Sequence, residues 1–494
     1  MVASRQAAQM QSPRYLTLAQ SLANQIEANV FSPGDRLPSV RRLCADYRLS
    51  VETVLHTFRI LENRGFVEPR ARSGFYVKHR YILSEPVSRP PRIEASAVEV
   101  SKLRFQSFMF GNREGVVPLG IAVPAQELLP GARLAQMTSA LARSAPNELV
   151  RYTDPAGHLK LRKQLARRAH DWGCFLNQEE FIVTYGAGEA LSLSLRAVCA
   201  SESAVLVESP TYYGLLELIE NLGLRVVEIP TDPRDGVSLE HIRKAILTVP
   251  KIGACLIVTN YSNPLGCSLA EERKKELVAL LAKNRIPLIE DDIYGDLARP
   301  GDKRPITAKA FDTKGLVLLC SSISKTLAPG MRVGWVSPGK FRDAILQLKT
   351  NQTFACPAIT QMAIAEFLEN GSYDAHLRKI RAVYWELLCR FSDAVARYFP
   401  AGTRISRPQG SFVLWVETDT DTTTLAARAL NEHRISITPG CIFSAKGNNY
   451  RNCLRMSCAH PWSPKIDQAI KTLGRLAKES GVRSSLGRVA TVVA

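Results

Sequence analysis

The stretch SSISKTLAPGMRVGW, residues 321–335, decides the fold of the larger part of the chain. It places Lys325 among serines and upstream of an arginine, directly after the apolar run at residues 316–319. A short, continuous apolar run of this kind predicts a strand that is buried on both faces. Open α/β sheets bind their ligands at the carboxyl ends of such strands. The stretch therefore predicts a ligand site that contains a lysine.

The same pattern is repeated along the chain from about residue 116 onward. Short apolar runs alternate with helical patterns, which is typical of a parallel sheet in an α/β domain. From about residue 355 the chain is helical and then returns to strands at GSFVLWVE (410–417) and NCLRMSCA (452–459), which predicts a smaller α+β subdomain over about 355–480. The strand candidates of the large domain are FIVTYG (181–186), AVLVESP (204–210), ACLIVTN (254–260), IPLIEDD (286–292) and GLVLLCSS (315–322).

Polar and aromatic residues follow these strands. Tyr212 in ESPTYYG can cover a flat ring, and Asn263 in NYSNPLG is a hydrogen-bond donor at a strand end. EDDIY places Asp291 three residues before Tyr294, and TYGAGEA (184–190) opens a helix whose N–H groups can approach an anion. Each motif alone has a simpler explanation: a packed aromatic, a tight turn or a solvated acidic run.

The motifs together describe one kind of chemistry. A lysine forms a Schiff base with an aldehyde cofactor, and an aspartate keeps a pyridine nitrogen protonated, which makes the ring an electron sink. A tyrosine and an asparagine bond the ring oxygen, while serines, an arginine and helix N–H groups hold a phosphate dianion. No metal site or nucleotide site would use all of these residues. The sequence therefore predicts pyridoxal 5′-phosphate as cofactor and no metal.

Residues 116–475 also resemble the fold-type I aminotransferases of class I/II. The resemblance lies in YTDPAGHLKLR (152–162), ESPTYYG, NPLG, EDDIY and SISKTLAPGMRVGW. It implies that Lys325 is the Schiff-base lysine and that Asp291 pairs with the pyridine nitrogen. It implies further that Tyr294 and Asn263 contact the ring hydroxyl and that Tyr212 stacks on the ring. Lys325, Asp291 and Tyr294 are thus the candidate catalytic residues.

The resemblance assigns two more contacts and the phosphate site. Tyr152 reaches the phosphate of the partner subunit, which requires a homodimer, and Arg455 in CLRMSCA grips the substrate α-carboxylate as a bidentate fork. The chain differs from many relatives at Ala122 and Val123, near the carboxylate, where relatives often have glycine. The residues implied to hold the phosphate are Ala187, Gly188, Ser322, Ser324 and Arg332.

Residues 14–80 are organised differently. Leu18, Leu22 and Ile26 form the apolar stripe of one helix, Ser39 can cap a second helix that runs to Tyr47, and Ser50 can cap a third that runs to about residue 64. The second and third helices are joined by the short turn RLS, and FVEPRARSGFYV (66–77) follows as a two-stranded ribbon. The inward positions of the second and third helices are Val40, Leu43, Cys44, Val54, Phe58 and Leu61.

This order of elements predicts a winged helix-turn-helix, whose third helix can enter the major groove of double-stranded DNA. Residues 1–80 carry twelve Lys/Arg against six Asp/Glu, so they are denser in positive charge than the rest of a chain whose net charge is +18. The alternative is a small helical cap with a solvated basic face. The candidate DNA-binding residues are Val51, Glu52, Thr53 and His56 at bases, Arg36, Arg41, Arg70 and Arg72 at phosphates or the minor groove, and the capping residues Ser39 and Ser50.

The first segment also resembles the GntR family of bacterial regulators, in SPGDRLPSVRRLCADYRLSVETV, LENRGFVE and SGFYV. It differs at Val51, where many relatives have arginine. Residues 81–115 contain a Pro-Pro pair and little periodicity, which predicts a linker. A GntR-type head (14–80), a linker (81–115) and an aminotransferase-like body (116–480) form the arrangement of the MocR subfamily of transcriptional regulators.

The two halves predict a function and leave an alternative open. The resemblance implies a regulator that depends on pyridoxal phosphate, binds operator DNA and senses an amino compound or the cofactor itself. The alternative is an active aminotransferase, acting on an amino acid and a 2-oxo acid, with an attached DNA-binding head. A third hypothesis is a basic α/β protein that merely binds small phosphates.

The composition of the chain indicates its cellular compartment. The eleven cysteines occur without a CxxC pair, which is typical of a reducing compartment. The sequence starts without a signal-peptide pattern and has no apolar run of about 18 residues, so we expect a cytoplasmic protein with no membrane span.

Overall fold

A computed structural model describes residues 14–27, 30–32, 34–63, 66–70, 73–78, 83–87, 91–98 and 113–490. The chain divides into two compact units, Met1–Ile82 and Leu83–Ala494. Each unit has hydrophobic clusters of its own, so the two are described in turn.

The first unit has three helices followed by a two-stranded ribbon. Ser39 caps the second helix by accepting a hydrogen bond from Arg42 N, and Ser50 caps the third by accepting one from Thr53 N. Arg48, in the left-handed region, ends the second helix. Both predicted caps are thus confirmed. The elements are α1 (Arg14–Glu27), α2 (Val40–Tyr47), α3 (Val51–Asn63), β1 (Val67–Arg70) and β2 (Gly74–Val77).

A single apolar cluster holds this unit together. Phe58 of α3 is fully buried and stacks on Phe75 of β2, with ring centroids 4.1 Å apart, so the helices and the ribbon share one core. Of the predicted inward positions, Val40 and Cys44 are only partly buried. The predicted positions that are buried are Leu18, Leu22, Ile26, Leu43, Val54, Phe58 and Leu61.

The second unit is built on an eight-stranded sheet. Its strands lie in the order β4-β11-β10-β9-β8-β5-β6-β7, and the five strands from β10 to β6 run parallel to one another. All five strands predicted for this domain are present. The strands are β4 (Ile182–Thr184), β5 (Ala204–Ser209), β6 (Arg225–Asp232), β7 (Gly236–Val237), β8 (Ile252–Ile257), β9 (Leu288–Asp291), β10 (Val317–Ser322) and β11 (Gly334–Ser337).

The sheet is mixed rather than purely parallel, which corrects the prediction. The strand β11 pairs antiparallel with β10 and β4, and β7 pairs antiparallel with β6. The physical reason is that the short connection from β10 to β11, residues 323–333, leaves no room for a crossover helix. The segment that carries Lys325 is therefore a turn between two antiparallel strands.

Helices cover this sheet and connect its strands. The buried side chains of β5, β8 and β9 alternate between two apolar clusters, one on each face. The helices up to residue 369 are α4 (Gly131–Ser144), α5 (Leu159–Ala169), α6 (Ala187–Val198), α7 (Tyr213–Asn221), α8 (Leu239–Thr248), α9 (Glu271–Lys283), α10 (Arg342–Gln352) and α11 (Ala358–Glu369).

A second, four-stranded sheet has the order β12-β13-β16-β15 and is antiparallel throughout. Both strands predicted here, β13 and β16, are present. A separate pair joins β3 to β14 in parallel. The remaining elements are β3 (Val117–Pro118), β12 (Arg404–Ile405), β13 (Val413–Glu417), β14 (Ile435–Ser436), β15 (Thr438–Pro439), β16 (Cys453–Ser457), α12 (Ser372–Tyr398), α13 (Thr422–His433) and α14 (Pro464–Ala490).

The apolar clusters do not follow the predicted subdomain boundary near residue 355. Val117 and Leu119, at the start of the body, belong to the apolar cluster of the small sheet. Another cluster combines Ile364 and Phe367 of α11 with residues of α12 and β13. The chain therefore enters the small subdomain first, and packing continues across the predicted boundary.

The described parts of the predicted linker lie on the second unit, which differs from a free linker. Ser96 and Val226 exchange two backbone hydrogen bonds of 2.8 and 2.9 Å, and Val98 is buried in a cluster of the large sheet. Ser84 O accepts a hydrogen bond from Ile405 N at 3.0 Å. Residues 83–87 and 91–98 thus pack on the body, because their apolar residues and backbone groups find partners there.

Among the helices of the described ranges, none combines the length and the apolar character that a membrane span requires.

Candidate functional site

One cavity of about 570 Å³ lies where β4, β5, β8, β9 and β10 end. Eleven of the twelve residues predicted for the body site line it, and Tyr152 is the exception. These residues come from five different strand ends and from the small sheet, so the fold brings together what the sequence separates. The eleven are Ala187, Gly188, Tyr212, Asn263, Asp291, Tyr294, Ser322, Ser324, Lys325, Arg332 and Arg455.

Lys325 lies in the turn after β10 and is partly exposed to the cavity. Its Nζ donates a hydrogen bond to Ala122 O at 2.6 Å. The pKa of Lys325 is lowered to about 8, mainly by burial and then by the positive charge of Arg455, while Asp291 opposes the shift. A large share of this amine is therefore neutral near pH 8, which is the nucleophilic form.

Asp291 ends β9 and is 5% exposed. Burial raises its pKa to about 7, although Ile293 N donates a hydrogen bond to Oδ1 at 3.2 Å. A carboxyl group with this pKa ionises readily when a cation is placed beside it. Asp291 is thus suited to pair with a protonated ring nitrogen.

Tyr294 and Asn263 meet beside Asp291. Asn263 Nδ2 donates to Tyr294 Oη at 3.4 Å, and both side chains are buried. Burial raises the pKa of Tyr294 well above its ordinary value, so the phenol stays protonated and can donate a hydrogen bond. The pair supplies two neutral donors to one side of the cavity.

The start of α6 forms a cradle for an anion. Gly186 precedes the helix with φ 79°, a conformation that favours glycine, and a Cβ added to Gly188 would meet nothing within 4 Å. Gly186 at the N-cap position has no side chain that could cap the helix, and the first N–H groups of a helix have no partner within it. Arg332 lies across this turn and donates to Tyr185 O at 3.0 Å. Helix dipole and guanidinium together suit a phosphate dianion.

Arg455 of β16 enters the cavity from the small sheet and is fully buried. Its Nη1 donates to Asn263 Oδ1 at 3.3 Å, and its Nη2 contacts Thr438 Oγ1 at 3.1 Å and Gly120 O. The Nε has no hydrogen-bond partner among the described residues although it is buried. A buried, unsatisfied guanidinium donor is costly, and a ligand carboxylate would remove this cost.

Tyr212 lies at the start of α7, with its ring against Gly214: a Cβ there would meet ring atom Cε1 at 2.6 Å. Burial raises the pKa of Tyr212 well above 10. The ring contacts that of Tyr213, with centroids 4.7 Å apart. Tyr212 is thus a half-buried aromatic face on the cavity, which agrees with its predicted position.

Tyr152 does not line the cavity. It is 85% exposed, and its ring meets that of Phe354 edge to face at 5.0 Å. Leu149 and Val150 beside it are also exposed. The predicted contact with a phosphate in the partner subunit stays a prediction, since Tyr152 makes no contribution to the cavity of its own chain.

In the first unit, the predicted base-contacting residues lie in the first half of α3. Val51, Glu52 and His56 are exposed, while Thr53 is partly buried and its hydroxyl is 2.8 Å from that of Ser50. Leu55 and Arg59 are also exposed and were not predicted. The helical spacing could have identified them, because Leu55 lies four residues after Val51 and Arg59 lies three residues after His56.

The predicted phosphate contacts differ in their surroundings. Arg36 and Arg41 are exposed, and the Arg36 backbone forms a bridge with Tyr76 of the ribbon. Arg70 pairs with Glu68 at 3.1 Å and lies over the Tyr76 ring. Arg72 lies outside the described residues.

The cavity fits pyridoxal 5′-phosphate in its chemistry. The phosphate would lie at the start of α6 and beside Arg332, and Asp291 would pair with the ring nitrogen. The open space beyond Gly188 and the buried, unsatisfied Nε of Arg455 are two features that an anionic cofactor and a carboxylate would complete. The fold and this cavity define an aminotransferase-type domain that is joined to a winged helix-turn-helix.

Comparisons with known proteins agree with this class. A family model described as aminotransferase class I and II matches residues 114–473, and one described as bacterial regulatory proteins, gntR family, matches residues 14–77. Two uncharacterized HTH-type transcriptional regulators of Escherichia coli, YjiR and YdcR, are 37% and 36% identical over 93% and 94% of this chain and over 98% and 99% of their own. The chain therefore belongs to this family of HTH-type transcriptional regulators, which has the domain arrangement of the MocR subfamily.

Solved structures show the fold of the body. A multiple substrate aminotransferase from Thermococcus profundus aligns with a TM-score of 0.71 at 23% identity, over 78% of this chain and 96% of its own. A Pyrococcus horikoshii kynurenine aminotransferase, solved with PMP, aligns with a TM-score of 0.71 at 24% identity, over 77% of this chain and 95% of its own. The predicted fold class and family are thereby confirmed.

Proposed function

We propose that this protein is a cytoplasmic DNA-binding regulator whose body holds pyridoxal 5′-phosphate at Lys325 and responds to an amino compound or to the cofactor itself. One observation carries the proposal: eleven residues predicted from separate motifs line a single cavity. The family to which the chain belongs supports the regulatory part, because its members are named transcriptional regulators.

The charges of the cavity support this ligand. Lys325, Arg332 and Arg455 face two carboxylates, Asp291 and Glu217, so the lining has an excess of positive charge. A phosphate and an α-carboxylate would neutralise it. The bound cofactor would supply an electron sink to an amino compound at this position. The protein groups would orient both: Arg455 the carboxylate, Asp291 the ring nitrogen and Tyr294 the ring oxygen.

The cofactor proposal is tested by absorbance and chemical trapping. Cofactor-free protein is incubated with pyridoxal 5′-phosphate and reduced with borohydride, and peptides are then mapped by mass spectrometry. We expect a phosphopyridoxyl adduct on Lys325, which Lys325→Ala removes. Lys314→Ala is the matched control, because Lys314 is exposed and outside the cavity. An adduct spread over surface lysines, with none at position 325, would contradict the proposal.

The regulatory part is tested by DNA affinity. A duplex selected by the full-length protein from a random library serves as probe, and its Kd is measured for the cofactor-free, cofactor-bound and amine-treated protein. Allosteric couplings commonly change affinity about 5- to 150-fold. We expect the Kd to change at least about fivefold either when the cofactor binds or when the amine is added. Equal affinity in all three states would refute ligand-dependent DNA binding.

A homodimer is part of the proposal. Leu149, Val150, Tyr152 and Phe354 are exposed apolar or aromatic residues, and Tyr152 contacts Phe354 directly. Such a patch favours burial against a second copy. Sedimentation velocity should show a dimer, and a double substitution Val150→Asp with Tyr152→Asp should shift it toward the monomer. A wild-type chain that is monomeric at micromolar concentration would exclude this part.

The second candidate is an active aminotransferase. It is favoured by one observation: the catalytic candidates Lys325, Asp291 and Tyr294 share the cavity with Arg455. This candidate would be favoured if the protein transferred an amino group from an amino acid to a 2-oxo acid at about 10 per second, the rate typical of enzymes. Turnover several orders of magnitude slower, together with ligand-dependent DNA affinity, would favour the regulator.

A further inference from the structure

Residues 83–87, here called the clasp, contact both sheets of the second unit. Leu83 packs on the apolar cluster of the small sheet, and Ser84 O accepts a hydrogen bond from Ile405 N of β12. Val87 N donates to Glu417 Oε2 of β13 at 3.0 Å. The clasp therefore extends along the edge of the small sheet.

Glu85 is the centre of the clasp, since its carboxylate joins the two sheets. One oxygen lies 2.5 Å from Arg234 Nε, in the loop between β6 and β7 of the large sheet. The other oxygen lies 3.3 Å from Arg407 Nε, just after β12 of the small sheet. The Glu85 side chain is 16% exposed, whereas the side chains of Arg234 and Arg407 are 63% and 49% exposed, so the carboxylate is the partly buried partner of both ion pairs.

The ligand cavity joins the same two sheets. Asp291 is the last residue of β9, and Lys325 and the start of α6 follow β10 and β4 of the large sheet, whereas Arg455 is a residue of the small sheet. A ligand that carries both a phosphate and an α-carboxylate would contact both sides, and would favour the spacing of the two sheets that suits it. The same spacing sets the distance between Arg234 and Arg407, and with it the fit of Glu85.

We propose that the clasp transmits the state of the cavity to the segment that leads to the DNA-binding unit. The proposal rests on the proposed function and adds the route of its regulation. A ligand that bridges the two sheets changes the fit of Glu85 between Arg234 and Arg407, which changes how firmly residues 83–87 are held. Residues 83–87 are separated from the last described residue of the head, Lys78, by four residues only.

The experiment compares two probes on the full-length protein. Pyridoxal 5′-phosphate provides the phosphate alone, and N-(5′-phosphopyridoxyl)-L-alanine adds an α-carboxylate for Arg455. Hydrogen–deuterium exchange is measured for peptides that contain Ser84 to Val87 and for those that contain Ile405. We expect the second probe to change the exchange rate of both peptides at least about threefold relative to the first, since the amides of Val87 and Ile405 donate the hydrogen bonds that hold the clasp.

Glu85→Gln keeps the shape and removes the charge that joins the arginines. This variant should show the same exchange rates at residues 84–87 with both probes. Its DNA Kd should differ between the probes by less than about twofold, whereas a typical allosteric coupling changes it at least about fivefold. Glu94→Gln is the matched control, because Glu94 lies in the same region and its carboxylate forms its ion pair with Lys446, away from Arg234 and Arg407. It should behave as the wild type. Arg407→Gln should reproduce Glu85→Gln, and thermal melts establish that all variants are folded.

The outcomes separate this inference from the proposed function. If neither probe binds, both fail. If the probes bind and DNA affinity responds while Glu85→Gln keeps the full response, the regulator stands and the clasp is overturned. Loss of the response in Glu94→Gln as well would also overturn it, since Glu85 would then have no special part.

Discussion

The pH dependence of cofactor attachment follows from the surroundings of Lys325. With a pKa of about 8, about one amine in eleven is neutral at pH 7, against about one in 3,000 for a lysine at its ordinary value of 10.5. The difference is a factor of about 300 in nucleophile concentration. The attachment rate should rise about tenfold per pH unit below pH 8 and level off above it.

The neighbouring charges permit a directed test of this reasoning. Arg455 lowers the pKa of Lys325 and Asp291 raises it. Arg455→Met should therefore move the inflection of the rate profile to higher pH, and Asp291→Asn should move it to lower pH. The assay is stopped-flow absorbance of cofactor-free protein mixed with pyridoxal 5′-phosphate between pH 6 and 10. A rate that keeps rising tenfold per unit beyond pH 9 in the wild type would refute the lowered pKa.

Three further predictions concern single residues. The pKa of Asp291 is raised to about 7, so the folded state keeps a proton that the unfolded chain releases above pH 4, and the free energy of unfolding falls as pH rises from 4 to 7. Asp291→Asn should remove about 3 kcal/mol of this pH dependence. The measurement is urea unfolding followed by tryptophan fluorescence, since all five tryptophans lie in the body. Phe58→Ala should destabilise the head by about 3–5 kcal/mol, because Phe58 is fully buried. Amide exchange in the head should become faster while the tryptophan fluorescence of the body stays unchanged. An equal loss of stability in the body would argue against two separate units. Arg36→Ala should weaken DNA binding for all sequences and lower the salt slope by about one, whereas an unchanged slope would mean that Arg36 contacts no phosphate.

Local rules were sufficient for the head and for most of the large sheet. The caps at Ser39 and Ser50 depend on residues within three positions of each other, and the buried positions of α3 repeat with helical spacing. The strands β5, β8, β9 and β10 are continuous apolar runs, which few other structures accommodate. The strand β6 carries Glu228, Pro230 and Thr231 within its span and was missed for this reason.

Long-range contacts could not be derived in this way. The hydrogen bonds from Lys325 to Ala122 O and from Arg455 to Gly120 O join distant segments through backbone carbonyl groups, which a sequence does not distinguish. The docking of residues 83–87 and 91–98 was missed because their composition, with prolines and mixed charge, is that of a linker. What holds them is a set of individual partners on the body.

The charges of the cavity connect its two ligand positions. Arg332 and Arg455 both lower the pKa of Lys325, because neighbouring positive charges repel one another. A phosphate beside Arg332 removes part of this repulsion, and a carboxylate on Arg455 removes another part. Each anion therefore raises the pKa of Lys325, because it offsets the positive charge that opposes protonation of the amine. A carboxylate bound at Arg455 in the cofactor-free protein should thus move the inflection of the attachment-rate profile to higher pH.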